Sequence, residues 1–262
     1  DTSYRYSNGN GSLKWRYNFH EKHKMELAAG YDMYRYATYD KYNPVNSYEM
    51  TFSIQQVYSK LKFKSLLGKD HTLTYGVDAI GYGLSPGSYL PYGEESLVVP
   101  DILPKENAIE ASAYLSHSWN ISERFFMDYG LRYSLFTTKG KTYHHPEIRV
   151  SGRVMITDNI SFKAGFNSLT QYIHMLSNTT TMSPTDIWKL SDKDIKPQEG
   201  WQAAGGFYTN LFQNKVEISV EGYYKQMENY LDYKSGAVLV MNRNLAADVV
   251  QTQGKAYGVE FM

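Results

Sequence analysis

Residues 119–137 read WNISERFFMDYGLRYSLFT, and this stretch decides the fold class. From Phe125 onward every second residue is apolar or aromatic, whereas the residues between them include Asp128 and Arg132. Because successive side chains of a β-strand point to opposite faces, the pattern predicts a strand with one apolar face and one mostly polar face. The apolar face packs either in the core of a soluble sandwich or against lipid.

The same alternation recurs along the chain and predicts roughly eleven strands, many near or above the ~10 residues that a tilted membrane strand needs. Short turns near residues 21–23, 68–71, 120–123, 158–159 and 213–214 alternate with long connections at 38–46, 85–107, 138–146, 169–200 and 234–252. Short turns at one end and long loops at the other are typical of outer-membrane barrels. We therefore expect an all-β, antiparallel transmembrane β-barrel with its apolar faces in lipid. A slip in the alternation at residues 55–56 predicts a β-bulge.

The composition narrows the function classes. The 262 residues include 27 basic and 27 acidic side chains, and this balance argues against a nucleic-acid partner. The absence of cysteine excludes disulfides and cysteine-ligated metal sites. Tyrosine is abundant, with 25 residues, and suits a membrane interface or a glycan or peptide site. An aromatic belt near the strand ends is predicted to include Trp15, Trp119, Trp201 and Tyr224.

Several segments resemble parts of TonB-dependent outer-membrane transporters. They are QYIHMLSN at 171–178, PTDIW at 184–188, IKPQ at 195–198, YYKQMEN at 223–229, AYGVEF at 256–261 and YGLRY at 129–133. The first half of the chain matches only in pattern. The resemblance implies a barrel of about 22 strands closed by an N-terminal plug. We therefore expect residues 1–262 to be a single β-barrel domain fragment, about half of such a barrel, without the plug domain and without the C-terminal closing strands.

The resemblance also implies a function. We expect an outer-membrane active transporter that takes up a scarce nutrient (a metal chelate, vitamin, oligosaccharide or peptide) and is energised through TonB. The expected partners are outer-membrane lipid, the TonB system acting through the plug, the small nutrient ligand and a surface lipoprotein. Two alternatives stay open: a passive porin-like pore, and a soluble tyrosine-rich glycan-binding β-sandwich.

Two predicted loops contain the candidate ligand-binding residues. The loop at 85–107 offers aromatic faces and a carboxylate from Tyr89, Tyr92 and Glu94. The loop at 169–200 offers Gln171, Tyr172, His174, Asp186 and Trp188. An ordinary tyrosine-rich surface loop is the alternative for the first set, and a shared structural role is the alternative for the second. Residues 168–176 are expected to form a short helical piece inside the lumen.

No residue pattern indicates a cofactor, a metal or catalysis. His144 and His145 are interpreted as solvated loop histidines rather than metal ligands. The sequence has no nucleophile elbow, phosphate loop or zinc helix, so we expect no enzyme. Basic residues of the polar faces either form an anion-attracting wall or pair with acidic residues across strands, and the zero net charge favours pairing. These basic residues are Lys14, Arg16, Lys60, Lys62, Lys64, Arg132, Arg149 and Arg153.

Overall fold

The computed structural model describes residues 2–176, 187–213 and 215–262. Its strands are β1 (Thr2–His20), β2 (His23–Asp40), β3 (Tyr48–Leu66), β4 (His71–Pro91), β5 (Asp101–Ile102), β6 (Glu106–Asn120), β7 (Phe125–Thr138), β8 (Lys141–Met155), β9 (Ile160–Gln171), β10 (Ile173–Leu176), β11 (Ile187–Leu190), β12 (Gln198–Leu211), β13 (Val216–Tyr233) and β14 (Val249–Phe261). A 3-10 turn (Pro44–Asn46) and a short helix, α1 (Leu245–Asp248), complete the described elements. No helix in these ranges has the length and apolar character needed to cross a membrane.

One antiparallel sheet contains nearly all the strands, in the order β1-β2-β3-β4-β6-β7-β8-β9-β12-β13-β14, with β5 paired to β4. Each strand of this path pairs with the next one along the path, as a barrel wall requires. A soluble sandwich needs two large sheets packed face to face. The only second sheet within the described ranges is the β10–β11 hairpin. The predicted antiparallel all-β architecture is therefore confirmed, and the sandwich is not supported.

The side chains on the two faces of β7 differ in how far other parts of the chain bury them. This difference shows which way the apolar face points. On one face Phe136 and Ser134 are fully buried beneath other parts of the chain. On the other face Leu131 is 53% exposed and Tyr133 is 44% exposed. The apolar set is thus left uncovered by the protein, as a lipid-facing surface requires. We call the face of Ser134 the inward face and the face of Leu131 the outward face.

Aromatic rings of the outward face pack against one another along and across strands. Trp15 and Tyr17 have ring centroids 6.2 Å apart, and Tyr17 and Phe19 are 4.9 Å apart. At the other side of the sheet Trp201 lies 5.4 Å from Tyr224, which is in the middle of β13 rather than near its end. Three of the predicted belt positions, Trp15, Trp201 and Tyr224, therefore belong to outward aromatic clusters, although Tyr224 is not near a strand end.

Several connections are shorter than the sequence predicted. The long connection expected at 138–146 is wrong, because β7 and β8 join through residues 139–140, with Gly140 at φ +85°. Gly140 tolerates this left-handed conformation because it has no Cβ. Pro146 lies within β8 opposite Tyr133, in the part of β8 that β9 does not pair. Its missing N–H therefore removes no bond to β9.

The β-bulge predicted at residues 55–56 is also wrong. β3 keeps a continuous register with β2, and its irregularity against β4 lies between Thr51 and Ser53. The apolar residues of β3 change face along the strand because other parts of the chain bury the inward face at one end of β3 but not at the other. Phe52 and Ile54 are buried on the inward face, whereas Leu61 and Phe63 belong to the outward set farther down the strand.

The wall has a seam between β8 and β9, whose backbone pairing stops at Arg149 and Asn167. Above that point side chains take over as acceptors. The Ile148 N–H donates to Ser168 Oγ at 2.9 Å. The Thr170 N–H donates to Glu147 Oε1 at 3.0 Å. The two strands are thus joined by backbone bonds at the short-turn end and by side-chain bonds at the other end.

Two connections fold back to cover the inward face. Residues 172–176 and 187–197 contribute Tyr172 and Leu190 to a buried cluster with Phe136 of β7. The segment 234–248 packs through Leu239 against Ile187 in a second cluster. The helical piece expected at 168–176 is wrong, because these residues are the end of β9, the linking residue Tyr172 and the strand β10.

Candidate functional site

Tyr172 attaches the β10–β11 hairpin to the inward face. Its side chain is 3% exposed, and its ring stacks on Phe136 with centroids 4.5 Å apart and planes 1° from parallel. The hydroxyl lies 2.7 Å from Ser134 Oγ and 3.0 Å from His145 Nδ1. Burial raises the pKa of Tyr172 to about 12. The hydrogen bond with Ser134 lowers this pKa, and the negative charge of Glu110 raises it. The phenol is therefore neutral at physiological pH.

His174 lies inside the hairpin rather than toward open space. It is 3% exposed, and its Nε2 lies 2.9 Å from Ser191 Oγ. Burial lowers the pKa of His174 to about 4, and Lys189 lowers it further while Asp192 opposes the shift. A neutral imidazole in this position supports the hairpin structure.

Lys189 ties β11 to the start of β6 through two carboxylates. Its Nζ donates to Glu106 Oε1 at 2.7 Å and to Asp192 Oδ2 at 2.6 Å. The Leu190 N–H donates to the other oxygen of Glu106 at 3.2 Å. Burial alone would lower the pKa of Lys189, but Glu106 and Asp192 outweigh it and raise the pKa above its usual value. Lys189 is therefore a fixed positive charge at this point.

The β13–β14 connection packs beside the β10–β11 hairpin and β4. Arg243 forms an ion pair with Asp101 of β5. A Cβ added to Gly87 would lie 2.6 Å from Met241 Sδ, so the connection approaches β4 closely at this glycine. Asn242 donates through its amide to Val238 O at 2.7 Å and also contacts Asp248. These bonds hold the connection in one conformation beside the hairpin.

A cavity of about 410 Å³ lies where these segments converge. Its lining comes from the β4–β6 connection, the β7–β8 turn, β11 with the residues after it, and the β13–β14 connection. The volume is within the range of about 300–1,000 Å³ that is usual for small-molecule sites. All these segments, including the two-residue β7–β8 turn, lie at the end of the sheet opposite the turns 21–22, 67–70, 121–124 and 156–159. The cavity therefore opens at the end that also contains the long connections, which we call the long-connection end.

Trp188 supplies an unsatisfied hydrogen-bond donor in the wall of this cavity. Its Nε1 is buried and has no hydrogen-bond partner within the described ranges. A buried polar group without a partner is costly, and it is usually explained by water, an ion or a ligand. An acceptor that reaches this N–H from the cavity would satisfy it.

The cavity lining has an excess of positive charge. Five basic and three acidic side chains line it, an excess of two formal charges, and Asp101, the partner of Arg243 outside the lining, reduces this excess to one. The basic residues are Lys105, Lys139, Lys189, Lys193 and Arg243, and the acidic residues are Glu106, Asp192 and Asp194. Such a lining attracts a ligand with acidic groups.

The family model described as "TonB dependent receptor-like, beta-barrel" matches residues 1–262. The chain belongs to this family. Its members are outer-membrane receptors and transporters rather than enzymes, and this receptor barrel accordingly lies in the outer membrane. The expected family, location and absence of an enzyme class are confirmed.

Solved structures share the fold of the receptor barrel. The copper transporter OprC has 15% sequence identity and a TM-score of 0.67, over 96% of this chain and 44% of that chain. BauA, the ferric preacinetobactin receptor from Acinetobacter baumannii, has 14% identity and a TM-score of 0.65, over 99% and 42%. The RagAB peptide transporter has 13% identity and a TM-score of 0.59, over 88% and 31%. The chain thus spans less than half of each structure. No curated protein matches the sequence.

The first predicted set of binding residues lies apart from the cavity of the receptor barrel. Tyr89 is in β4 rather than in a loop, and its ring is 4.8 Å from that of Tyr48. Tyr92 contacts Tyr39 edge to face at 5.6 Å, with Lys41 Nζ 4.5 Å above its ring. Glu94 is exposed. None of the three predicted residues lines the cavity.

The second predicted set is divided by the structure. Trp188 lines the cavity, whereas Tyr172 and His174 support the hairpin that presents it. Gln171 is exposed and donates through Nε2 to Ile173 O at 2.6 Å. Asp186 lies outside the described residues. The sequence reasoning missed Lys189 and the Asn242–Asn244 string, although the long connection containing that string was recognised.

His144 and His145 are in β8, not in a loop as predicted. His144 Nδ1 lies 3.2 Å from the Tyr133 hydroxyl on the outward side. His145 faces inward, where its Nε2 lies 3.3 Å from Glu199. Within the described ranges no group of three His, Cys, Asp or Glu side chains is placed to hold a metal ion.

Another concavity, of about 920 Å³, lies elsewhere in the receptor barrel. Its lining is mostly outward and apolar, including Met127, Val150, Phe166 and Tyr257. A lipid-facing groove of this kind offers no polar groups to orient a nutrient, so we do not regard it as the ligand site.

Arg132 is the centre of a charge cluster on the inward face, where one cation lies among three carboxylates. Its guanidinium lies 3.3 Å from Asp78, 3.3 Å from Glu110 and 3.8 Å from Glu147. The Tyr82 hydroxyl donates to Glu110 at 2.8 Å. All three carboxylates are largely shielded from solvent. We refer to these residues as the Arg132 cluster.

Proposed function

We propose that residues 1–262 form the ligand-capturing wall and upper lumen of a TonB-dependent transporter that takes up a scarce nutrient across the outer membrane. The observation that carries the proposal is the cavity at the long-connection end, where four segments converge and the ring of Trp188 forms part of the wall. A site at this end meets ligand from outside the cell, since long loops of outer-membrane barrels are external.

The substrate that fits this cavity best is a metal chelate with acidic groups. Positive charge in the lining favours an anionic ligand, and the Trp188 ring and N–H suit a ligand that combines a flat surface with an acceptor. Neutral oligosaccharides gain nothing from the charge excess. The names of similar folds include a copper transporter and a ferric preacinetobactin receptor, and they support this class by analogy only.

Energy coupling belongs to the same proposal. We infer from the family that TonB acts through a plug in the complete polypeptide. A surface lipoprotein partner stays a prediction from the sequence.

Ligand binding to the full-length protein in detergent tests the proposal. Ferric citrate, a ferric catecholate, a cobalamin, an oligosaccharide and a short peptide serve as probes in calorimetric titrations. We expect a chelate to bind and Trp188→Phe to weaken that binding about 5- to 10-fold, as expected for one lost hydrogen bond. Trp119→Phe is the matched control, because Trp119 lines no part of the cavity. Binding of the neutral oligosaccharide alone contradicts the assigned substrate class.

The passive pore is the competing function, and conductance separates it from a transporter. The full-length protein is reconstituted in planar bilayers under an applied voltage. A plugged transporter gives no steady current, whereas a porin gives stable open steps. Open steps from the unmodified protein would therefore refute the transporter.

A further inference from the structure

Six cations lie together on the inward face of β1, β2 and β3, in the half nearer the short turns. They are Lys14, Arg16, Lys24, Lys60, Lys62 and Lys64, and we call this surface the basic ledge. The register places them on one face, because Lys60 pairs with Asp78, Asp78 with Ser112, and Ser112 with the inward Ser134. Cross-strand neighbours then follow in rows, with Arg16, Glu26 and Lys62 in one row.

The basic ledge has little compensating charge. Glu26 is its single carboxylate, and it lies 2.8 Å from Arg16 and 3.6 Å from Lys14. The neighbouring Asp78 is engaged by Arg132. No ion pair involves Lys24, Lys60, Lys62 or Lys64 within the described ranges. The six cations and Glu26 therefore have a formal excess of five positive charges, and Asp78, which lies opposite Lys60, reduces this excess to four.

The strand register adds to this repulsion. Lys24 and Lys64 are directly opposite each other in the β2–β3 ladder. Like charges in directly opposed positions destabilise a sheet. Lys62 is on the same face as Lys64, about 7 Å along the strand, which is two residue rises. A bound anion relieves the repulsion among all three side chains.

A concavity of about 360 Å³ lies against the ledge and gives an anion a place to bind. Lys14, Lys60 and Lys62 line it together with the rings of Tyr58 and Tyr114, and the carboxylates of Glu26 and Asp78 also belong to the lining. Each ring lies across a glycine of the neighbouring strand. A Cβ at Gly30 would be 2.5 Å from the Tyr58 hydroxyl, and one at Gly76 would be 2.6 Å from that of Tyr114. The glycines thus allow two phenol donors to lie beside the ammonium groups.

We propose that the basic ledge is an anion-binding site for a ligand with two or more phosphate or carboxylate groups. Its flexible ammonium groups suit a compact polyanion, since lysine acts as a point charge toward phosphate and carboxylate. The ledge is farther along the lumen than the cavity of Trp188. This inference rests on the proposed function in one respect, that an acidic nutrient released from the cavity reaches the ledge next.

Calorimetric titration of the full-length protein with tripolyphosphate at low salt tests the ledge directly. We expect the double variant Lys62→Gln/Lys64→Gln to bind at least 10-fold more weakly than the unmodified protein. Added salt should also weaken binding to the unmodified protein, because screening reduces the attraction between exposed charges. The control is Lys225→Gln, since Lys225 is an inward lysine on β13 that does not line the ledge concavity.

Several outcomes overturn the proposal. If tripolyphosphate does not bind the unmodified protein, the proposal is refuted. The ledge is then neutralised by other parts of the polypeptide, or its affinity for the anion is too low. Equal binding by the double variant places the anion elsewhere. Retained heat-modifiable migration in gels confirms that the variant is folded.

One further variant separates this proposal from the proposed function. Trp188→Phe should leave tripolyphosphate binding unchanged while it weakens nutrient binding. Tripolyphosphate binding that depends on Lys62 and Lys64, in a protein that binds no nutrient probe, supports the ledge and refutes capture at the cavity.

Discussion

Two regions of the inward face of the receptor barrel, the Arg132 cluster and the basic ledge, differ in how many carboxylates surround their cations. In the Arg132 cluster one guanidinium is shared by three shielded carboxylates. On the basic ledge six cations share Glu26 and are exposed. Both regions belong to one sheet with the same alternation of side chains. They differ in the ratio of carboxylates to cations: three carboxylates surround Arg132, whereas Lys24 and Lys64 lie opposite each other and Glu26 contacts Arg16 and Lys14.

The comparison shows that an overall charge of zero does not imply local neutrality. The sequence left two possibilities for the basic residues, an anion-attracting wall or cross-strand pairing. Arg132 lies opposite Glu147 and is paired. Lys64 lies opposite Lys24 and is not. Pairing is therefore observed for Arg132 and also for Arg16 with Glu26, whereas an anion-attracting wall stays a proposal for the lysines without an ion pair in the described residues.

The largest expected effect is the loss of the guanidinium from the Arg132 cluster. Arg132→Met leaves three shielded carboxylates without their cation and should destabilise the barrel by about 4 kcal/mol. The midpoint of heat-modifiable gel migration measures the loss. Arg149→Met is the control, an inward arginine with no salt bridge in the described ranges. An unchanged midpoint for Arg132→Met would show that the carboxylates have other partners.

The next effect concerns the buried contact that holds the hairpin to the wall. Phe136→Ala removes the ring beneath Tyr172 and should cost about 3 kcal/mol, because a fully buried aromatic leaves a cavity. The hairpin should also become accessible to protease. Phe166→Ala serves as the control, since this outward ring is partly exposed and lipid replaces its contacts. Equal losses in both variants would contradict a hairpin anchored at Phe136.

Acid should loosen the covered half and leave the ledge intact. The folded protein holds His174 neutral with a pKa of about 4, against an ordinary value of 6.5. Between these values the unfolded state binds more protons, so the stability from His174 is fully present above pH 6.5 and falls as the pH drops. At pH 5 the expected loss is about 2 kcal/mol.

Protease resistance of the hairpin between pH 7 and pH 5 measures this loss. His174→Asn should remove most of the pH dependence. His144→Asn should retain it, because His144 faces the outward side. A pH dependence that persists in His174→Asn would assign the effect to another group.

The smallest effect has the opposite sign and belongs to the ledge. Lys64→Glu replaces a repulsive cross-strand pair with an attractive one and should stabilise the barrel by about 0.5 kcal/mol. The gain should disappear at high salt. Lys69→Glu in the adjoining turn is the control and should have no effect. A destabilised Lys64→Glu variant would indicate that an acidic group already faces this lysine in the complete protein.

Local patterns in the sequence were sufficient for most of the wall. The alternation in residues 125–136 predicts β7 and its outward face, because both follow from side chains two residues apart. The slip at residues 55–56 was misread, since it reflects what covers Phe52 and Ile54 rather than a bulge. The sequence of a single strand does not show which distant segments of the chain pack on it.

The candidate site was less predictable because its contacts are long-range. Lys189 and Glu106 are 83 residues apart, and Tyr172 and Ser134 are 38 apart. Composition indicated that Trp188 was suited to ligand binding, but the β10–β11 pairing and the Arg243–Asp101 contact depend on the folded sheet. Such contacts are set by topology, which the local pattern does not specify.

The hydrogen bonding between β8 and β9 determines how fast different parts of these two strands separate locally. Below Arg149 each strand is protected by a backbone ladder, whereas above it Ser168 and Glu147 supply single side-chain acceptors. Amides held in this way need only a local fluctuation to exchange hydrogen with solvent, and their opening free energy is a small fraction of the global value. Deuterium should therefore enter the upper part of this seam long before it enters the same two strands near their short turn.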